Sequence, residues 1–319
     1  MPAAAATSCP PLTVADVVEH VAGVCFKTGP PGLVGVESEW LVVDASAPHL
    51  PVPLARLQAA VEPLAPLPGG CSITYEPGGQ LELSSPPSLG PAGCISALQS
   101  DLTAIAPGLA AAGLSLYGLG LDPLRSPRRQ LEAPRYAAME AYFDARGPAG
   151  RRMMCSTAAI QVCVDVGADA ADAARRWALA HALGPVLVAA FANSPFSGGR
   201  PSGWRSGRQA VWLALDPAER RRDSGADPAR TWAAEVLAAP VMLWRRPTGP
   251  WLPDPGCTFG EWVGSGSVTR ADLDYHLSTL FPPVRPRGWY ELRYLDAQFP
   301  AHWPVAVAVV AALLDDPRA

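Results

Sequence analysis

Acidic side chains recur in segments of the sequence that are otherwise apolar and strand-like. Glu37 and Glu39 lie two residues apart in GVESEW, so on a strand both would point to the same face of a sheet. Glu76 and Glu82 flank a Pro-Gly-Gly turn in YEPGGQLEL, which predicts a hairpin or tight bend between two short strands. Carboxylates are therefore expected in strand interiors, where glutamate is depleted.

Two later segments continue this pattern. Gln161 and Asp165 share the polar side of IQVCVD, and Glu291 and Arg293 share a face in YELRY. Glutamate is seldom buried without a partner or a metal, so if these strands are neighbours, their carboxylates would converge around a cation. Oxygen ligands without His or Cys suit a hard ion, Mg²⁺ or Mn²⁺. The alternative is a set of amphipathic strands whose polar faces contact water.

Several arginines lie in distinctive sequence contexts. They are Arg135 before a tyrosine, Arg205 and Arg208 in GWRSGRQAVW, and Arg285 and Arg287 in PPVRPRGWYELR. A guanidinium group binds carboxylates and phosphates through two parallel hydrogen bonds. Together with a Mg²⁺ cluster, these arginines indicate phosphoryl transfer to or from an acidic substrate. The alternative for any one of them is a solvated surface position.

The elements that must position these residues follow from the spacing of apolar residues. Strands are predicted over 33–43, 72–76, 80–84, 114–119, 157–166 and 290–295. Helices are predicted over 13–26 with Thr13 as N-cap, 54–65, 93–112 with an interruption near Pro107, 135–144, 170–192 with a kink or break at Pro185, 273–280 and 305–314. Loops are predicted over 145–152 and 216–230. The irregular alternation of strands and helices favours an α+β fold with a largely antiparallel sheet.

Composition and missing motifs exclude several classes of protein. The 319-residue chain has a net charge of −4, which argues against a nucleic-acid partner. It contains no GxxxxGK[ST], GxGxxG, GxSxG or HExxH motif, and its seven cysteines form no CxxC pair. The apolar run over 303–314 is shorter than the roughly 18 residues that span a membrane. We expect a cytoplasmic protein with a flexible tail over 1–12 and a single catalytic domain over 13–319.

Taken together, these segments resemble the glutamate–cysteine ligase family, in its plant, proteobacterial and actinobacterial branches. The matching pieces appear in family order over roughly 33–317: GVESE, YEPGGQLELSSPP, DPLRSP, RYAAMEAYF, MMCSTAAIQVCVD, HALGP, FANSP, SGWRSGRQAVW, HLSTLFPPVRPRGWYELRYLD and LLDDP. The sequences of these motifs are most similar to those of actinobacterial enzymes of ergothioneine biosynthesis. The resemblance implies a glutamine-synthetase-like curved antiparallel sheet with helices packed outside. It also implies ATP-dependent joining of the L-glutamate γ-carboxyl to the L-cysteine amine through γ-glutamyl phosphate.

The resemblance also implies roles for individual residues. The implied Mg²⁺ or Mn²⁺ ligands are Glu37, Glu39, Glu76, Glu82 and Glu291. Gln161 and Arg293 are expected at the ATP, where Arg293 would stabilise the transferring phosphoryl group and, with Glu82, form the catalytic pair. The residues expected to bind glutamate are Arg135, Thr157, Arg208 and Arg285.

Two departures from the family pattern leave alternatives open. The family usually has Asn two residues after the strand glutamine, and here that position is Cys163, a softer partner for Mg²⁺ or phosphate. Relatives also continue with a helical C-terminal portion that this sequence does not include. One alternative is a ligase that joins glutamate to another amine. The other is a non-catalytic relative that binds ATP or an amino acid without turnover.

Overall fold

An antiparallel sheet organises the computed structural model, which describes residues 11–215, 227–246, 251–253 and 256–316. Its strands are β1 (Leu33–Asp44), β2 (Ser72–Tyr75), β3 (Leu81–Ser84), β4 (Ser88–Leu89), β5 (Leu114–Tyr117) and β6 (Ala159–Asp165), followed later in the chain by β9 (Val284–Pro286) and β10 (Trp289–Asp296). The strands pair in the order β2-β3-β1-β6-β10-β9, with β4 and β5 also paired to β1. Every one of these described strand pairs is antiparallel. The predicted α+β class is confirmed.

Helices cover the apolar face of this sheet. The helices of the described residues are α1 (Val14–His20), α2 (Leu54–Val61), α3 (Pro91–Ala111), α4 (Pro134–Asp144), α5 (Ala149–Ser156), α6 (Ala170–Ala190), α7 (Gly207–Leu215), α8 (Pro228–Ala238), α9 (Phe259–Gly264), α10 (Arg270–Leu277) and α11 (Trp303–Asp315). A π-helical turn (Val21–Cys25) continues α1, a 3-10 turn (Glu62–Leu64) continues α2, and a separate hairpin joins β7 (Phe196–Ser197) to β8 (Arg200–Pro201). None of these helices combines the length and apolar character that a membrane span needs.

The strands alternate between two environments, as their sequences predict. Val34, Val36, Ile160, Val162 and Leu292 are buried in the main core. That core lies under α3, α6 and α11, which contact β1, β10 and β6 respectively. Because side chains alternate along a strand, the intervening residues point to the opposite face. The glutamates of β1 and β10 are therefore presented away from this core.

Most predicted elements are present, and several boundaries differ. Thr13 caps α1 as expected, since its side chain accepts a hydrogen bond from the Asp16 N–H. The predicted interruption at Pro107 is wrong, because α3 continues to Ala111. The missing Pro107 N–H removes one hydrogen bond near the end of a 21-residue helix, and Ile105 and Leu109 on either side are buried in the core. Packing therefore outweighs the local proline penalty.

The predicted loop over 145–152 is also wrong in its second half. Helix α5 begins at Ala149, and Met153, Met154 and Cys155 are buried in a second apolar cluster with α4 and α7. The first turn of this helix contains Gly-Arg-Arg, so helix propensity alone does not predict the apolar face that follows. Residues 216–226 of the other predicted loop lie outside the described residues, and the rest of that loop includes the start of α8.

The predicted tail over 1–12 falls mostly outside the described residues. Its last residue, Leu12, is buried, and its backbone N–H donates to the Val268 carbonyl at 2.9 Å. Several elements of the described chain were not predicted, among them the helix α7, which bears Arg208, the helices α8 and α9, the β7–β8 hairpin and the short strands β4 and β9. The unpredicted strands and α9 have only two to six residues, so apolar spacing gives little signal there.

Candidate active site

The register of the sheet brings three acid-bearing strands together. In β1, Glu39 lies directly opposite Glu82 of β3, and Glu37 lies opposite Gln161 of β6. Directly opposed residues of antiparallel strands have Cβ atoms about 5 Å apart. The sequence predicted that these side chains share one face, and the structure places all of them around one cavity of about 260 Å³.

The turn after β2 adds a fourth carboxylate, Glu76, to this end of the sheet. The Glu76 N–H donates to the Gln80 carbonyl at 3.0 Å, and the Gly79 N–H donates to the Glu76 carbonyl at 2.8 Å. Gly79 has φ +86°, and a Cβ on Gly78 would lie 2.1 Å from the Cys155 carbonyl oxygen, so both glycines are required. Carboxylate oxygens of Glu39, Glu76 and Glu82 lie within 4.8 Å of one another. We call these three residues the acidic cluster.

Burial and mutual repulsion both act on the acidic cluster. Burial raises the pKa of Glu76 well above its ordinary value, and the charges of Glu39 and Glu82 add to the rise. Burial and the Glu39 charge likewise raise the pKa of Glu82, and burial raises that of Glu39 despite nearby arginines. Burial and repulsion from Glu291 and Glu82 raise the pKa of Glu37 to about 7. Crowded carboxylates with these shifts fit a hard divalent cation bound between their oxygens.

The other end of the cavity has the opposite charge balance. Glu291 is fully buried, and Arg285 donates to its two oxygens at 3.0 and 2.8 Å. Arg293 also donates to Glu291, and Arg287 lies 3.6 Å from it. Although burial raises the pKa of Glu291, these three guanidinium groups hold it below its ordinary value. We call Arg285, Arg287, Arg293 and Glu291 the arginine cluster.

A polar chain connects the two clusters. The Gln161 side-chain N–H donates to Glu39 Oε1 at 2.8 Å, and the Gln161 oxygen accepts a hydrogen bond from Arg293. The second Glu39 oxygen accepts from the Ala159 N–H at 2.8 Å. These bonds fix the amide orientation of Gln161 and hold the Arg293 guanidinium over the sheet, between the acidic cluster and Glu291.

The residues predicted to bind the amino acid also surround this cavity. Arg135 donates to the Ser278 hydroxyl and carbonyl at 3.0 and 2.8 Å. The Thr157 hydroxyl donates to the Met153 carbonyl at 2.6 Å and so closes the end of α5. Arg208 is 3% exposed, and its Nε and Nη1 atoms have no partner among the described residues. Of the predicted set, Arg208 therefore has the most binding capacity left for a ligand.

The structure brings nearly every predicted site residue to the cavity wall. The lining includes Glu37, Glu39, Glu76, Glu82, Arg135, Thr157, Gln161, Arg208, Arg285 and Arg293. Glu291 lies behind them, joined to the arginines rather than to the acidic cluster, and its role as a metal ligand stays a prediction. Cys163 is opposite Glu291 in the sheet, and burial, followed by the charges of Glu37 and Glu291, raises its pKa well above the ordinary value.

Some lining residues had no sequence-based role. Arg287 was noted beside Arg285 but given no assignment, and Tyr136, Trp212 and Phe281 also line the cavity. Trp212 follows Arg208 by four residues, which is one helical turn, so the helix α7 would have indicated it. Phe281 comes from a connection whose course the sequence does not specify.

An antiparallel sheet that presents both carboxylates and arginines to one cavity agrees with what the sequence resemblance implies for an acid–amine ligase. The model of the family described as glutamate-cysteine ligase family 2 (GCS2) matches residues 33–319. The chain belongs to this family.

Comparison with individual proteins gives the same result. The chain is 45% identical over 315 residues to glutamate–cysteine ligase EgtA of Mycolicibacterium smegmatis, covering 94% of this chain and 73% of that protein. It is 44% identical over 319 residues to EgtA of Mycobacterium tuberculosis H37Rv, covering 94% and 72%. It is 30% identical over 258 residues to the chloroplastic glutamate–cysteine ligase of Brassica juncea, covering 74% and 49%.

Solved structures share the fold at low sequence identity. The glutamate–cysteine ligase of Francisella tularensis, in complex with AMP, matches with a TM-score of 0.51 and 12% identity, covering 92% of this chain and 73% of that one. A bifunctional glutathione synthetase from Pasteurella multocida matches with a TM-score of 0.50 and 15% identity, covering 96% and 41%. The expected glutamate–cysteine ligase fold is thereby confirmed.

Proposed function

We propose that this protein joins the γ-carboxyl of L-glutamate to the amine of L-cysteine at the expense of ATP. A γ-carboxylate oxygen attacks the γ-phosphorus of ATP, which releases ADP and forms γ-glutamyl phosphate. The cysteine amine then attacks the acyl carbon, phosphate leaves, and the amine loses a proton. The products are γ-glutamylcysteine, ADP and phosphate. Family membership and the identity to the mycobacterial ligases support this reaction.

The acidic cluster is the observation that carries the proposal. Its three carboxylates meet within 4.8 Å in a partly buried cavity, and among the described residues none of them forms an ion pair with an arginine, lysine or histidine. Glu39, Glu76 and Glu82, with Glu37 beside them, would hold Mg²⁺ or Mn²⁺. When bound, such an ion neutralises phosphate oxygens and orients the γ-phosphate for transfer.

The arginines would supply the remaining charge and the positioning. Arg293 is fixed by Glu291 and Gln161, so its guanidinium would face the phosphoryl group as negative charge shifts during transfer. Arg208, Arg135 and Arg285, with Thr157 beside them, would bind the carboxylates of glutamate. Holding the γ-carboxylate in line with the phosphorus turns a bimolecular step into an effectively unimolecular one.

A product assay tests the proposal directly. Protein, Mg²⁺, ATP and L-glutamate are incubated with and without L-cysteine, and ADP and γ-glutamylcysteine are measured by coupled absorbance and mass spectrometry. We expect ADP release in the presence of cysteine and a matching yield of the dipeptide. ADP release that is no greater with L-cysteine than with L-alanine would remove the acceptor assignment. A protein that binds Mg-ATP without turnover would support the non-catalytic alternative.

The sequence resemblance further supports supply of γ-glutamylcysteine to ergothioneine biosynthesis. The six cysteines of the described ranges are all free thiols, which fits a reducing compartment. We therefore infer that the reaction takes place in the cytoplasm, where ATP is available, and that residues 13–319 act as one catalytic domain.

A further inference from the structure

A buried carboxylate outside both clusters has no assigned role. Asp296, the last residue of β10, is 2% exposed, and within the described ranges no arginine, lysine or histidine nitrogen lies within 4 Å of it. Its Oδ2 atom accepts from the Asn193 N–H at 2.8 Å and from the Ser194 hydroxyl at 2.6 Å. Its Oδ1 atom accepts from the Ser206 hydroxyl at 2.8 Å. A buried charge held by hydrogen bonds alone is costly, so it needs a reason.

The backbone around Asp296 is shaped to fit it. A Cβ on Gly120 would lie 2.4 Å from the Asp296 carboxyl carbon, so no larger residue is accommodated there. The Gly120 N–H donates to the Asn193 carbonyl at 3.1 Å, which fixes the loop that faces the carboxylate. The carboxylate therefore occupies a closed site formed by β10, the segment after β5 and the FANSP loop.

The bonds continue from Asp296 into the first turn of α7. Because an ionised carboxylate only accepts, both serine hydroxyls must donate to it and can then accept from the helix. Ser194 Oγ accepts from the Arg208 N–H at 3.1 Å, and Ser206 Oγ accepts from the Gln209 N–H at 3.0 Å. The negative charge also lies at the positive end of the helix dipole. Asp296 thus fixes the direction of two hydroxyls that cap α7.

Arg208 is the side chain that this arrangement presents to the cavity. Its Nη2 donates to the Arg293 carbonyl at 2.7 Å, whereas Nε and Nη1 have no partner within the described part of the chain. Burial lowers the pKa of Arg208, and Asp296 is the strongest influence that opposes the decrease. The guanidinium lies at the wall between the 260 Å³ cavity and an apolar cavity of about 500 Å³ that shares Arg208, Trp212, Phe281 and Arg293.

We propose that Asp296 is a positioning residue for amino-acid binding: through Ser194 and Ser206 it fixes the first turn of α7, so that the free Nε and Nη1 of Arg208 meet the carboxylate of L-glutamate. This inference rests on the proposed function, because it takes glutamate as the ligand of Arg208. It adds a role for FANSP and for the last residue of YLD, two motifs that the reaction itself does not use.

The main test is Asp296→Asn, which keeps the shape and replaces one acceptor with a donor. One hydroxyl then loses its acceptor, and Arg208 shifts. We expect the KM for L-glutamate to rise about tenfold while kcat and the KM for ATP change less than about threefold, because ground-state and transition-state binding are lost together. An unchanged KM for glutamate in a folded variant would overturn the inference and leave the proposed function intact.

A double-mutant cycle shows whether Asp296 acts through Arg208. In an Arg208→Gln background, Asp296→Asn should raise the KM for L-glutamate no further, since the group it positions is gone. A full additional tenfold effect in that background would contradict the inference. Asn193→Ala is the matched control: its side chain donates only to the Gly118 and Ala297 carbonyls, so it should lower the melting temperature without raising this KM.

A second pair of variants covers the case in which Asp296→Asn does not fold. Ser206→Ala should raise the KM for L-glutamate and Ser206→Thr should restore it, because threonine keeps the hydroxyl. Equal KM values in the two variants would overturn the inference. Calorimetric binding of L-glutamate, which needs no turnover, separates the two failures. A wild-type protein that binds glutamate without forming ADP would refute the proposed reaction, whereas unweakened glutamate binding by Asp296→Asn would refute the role of Asp296.

Discussion

Glutamate side chains lie in opposite electrostatic environments at the two ends of the cavity. Glu39, Glu76 and Glu82 crowd together without an ion pair among the described residues, and their pKa values rise although Arg293 lies near all three. Glu291, more deeply buried than any of them, is surrounded by three arginines, and its pKa falls. The comparison indicates that the acidic cluster needs an ion from solution, whereas Glu291 already has its cations within the protein. Four predictions test this contrast.

The largest expected effect follows from removing one carboxylate of the acidic cluster. Glu82→Gln should lower kcat/KM by on the order of 10³-fold, because a bound ion contributes several kcal/mol of charge stabilisation. The melting temperature of the metal-free variant should equal or exceed that of the wild type, since mutual repulsion is reduced. Steady-state kinetics and calorimetry measure both. Near-normal turnover would remove Glu82 from the metal set.

The arginine cluster should respond to the same substitution in the opposite way. Glu291→Gln should lower the free energy of unfolding by about 3 kcal/mol, because it leaves buried guanidinium groups without their counter-charge. Urea unfolding measures the change. Glu140→Gln is the control, since it breaks partly exposed contacts with Arg129 and Arg151 and should cost less than about 1 kcal/mol. Equal losses in the two variants would contradict the distinction.

The affinity of the acidic cluster for Mg²⁺ should depend on pH, because protons compete with the ion for the carboxylates. The folded-state pKa of Glu37 is raised to about 7, so this group is mostly protonated at pH 6 and mostly ionised at pH 8. Repulsion in the metal-free protein thus increases as pH rises through 7, and so does the affinity for a cation. We expect Mg²⁺ to bind about tenfold more tightly at pH 8 than at pH 6, by titration calorimetry. An affinity independent of pH would show that Glu37 lies outside the metal site.

The smallest effect concerns the neutral donor that supports the acidic cluster. The Thr74 hydroxyl donates to Glu82 Oε1 at 2.6 Å and lowers the Glu82 pKa, which burial and Glu39 raise. Thr74→Ala should weaken Mg²⁺ binding about threefold, since one hydrogen bond contributes about 0.5–1.5 kcal/mol net. Ser84→Ala, whose hydroxyl lies 3.5 Å from the same oxygen, should change the affinity less. The reverse order would show that Thr74 does not support Glu82.

The sequence was sufficient to predict which residues share a face. Period-two alternation in GVESEW, QLEL and YELRY placed each acid on the polar side of its strand, and the cavity confirms that these faces converge. The order and register of the strands were not available, because they depend on pairing between segments that are distant in the chain, such as Glu39 with Glu82 and Glu37 with Gln161. The separation of Glu291 from the acidic cluster follows from that register and from β9, a three-residue strand that carries Arg285.

The helices that cover the cavity were harder to predict. Helix α5 begins in a Gly-Arg-Arg segment and forms because Met153 and Met154 pack against α4 and α7. Nothing in the sequence distinguished Asp296 from other acidic residues, because its three hydrogen-bond donors come from segments distant in the chain. Such tertiary contacts override local preferences and leave no spacing signal in the chain.

Mn²⁺ titration followed by electron paramagnetic resonance shows whether the acidic cluster binds a divalent ion. The wild-type protein and Glu82→Gln are titrated at pH 8 without nucleotide, and free Mn²⁺ is measured. We predict that the acidic cluster is the tightest Mn²⁺ site of the wild type and that Glu82→Gln weakens binding there by at least about tenfold. Loss of a residue that only hydrogen-bonds to a metal ligand already costs at least about tenfold in affinity, and loss of a direct ligand should cost no less. Equal Mn²⁺ affinity in the two proteins would contradict the account.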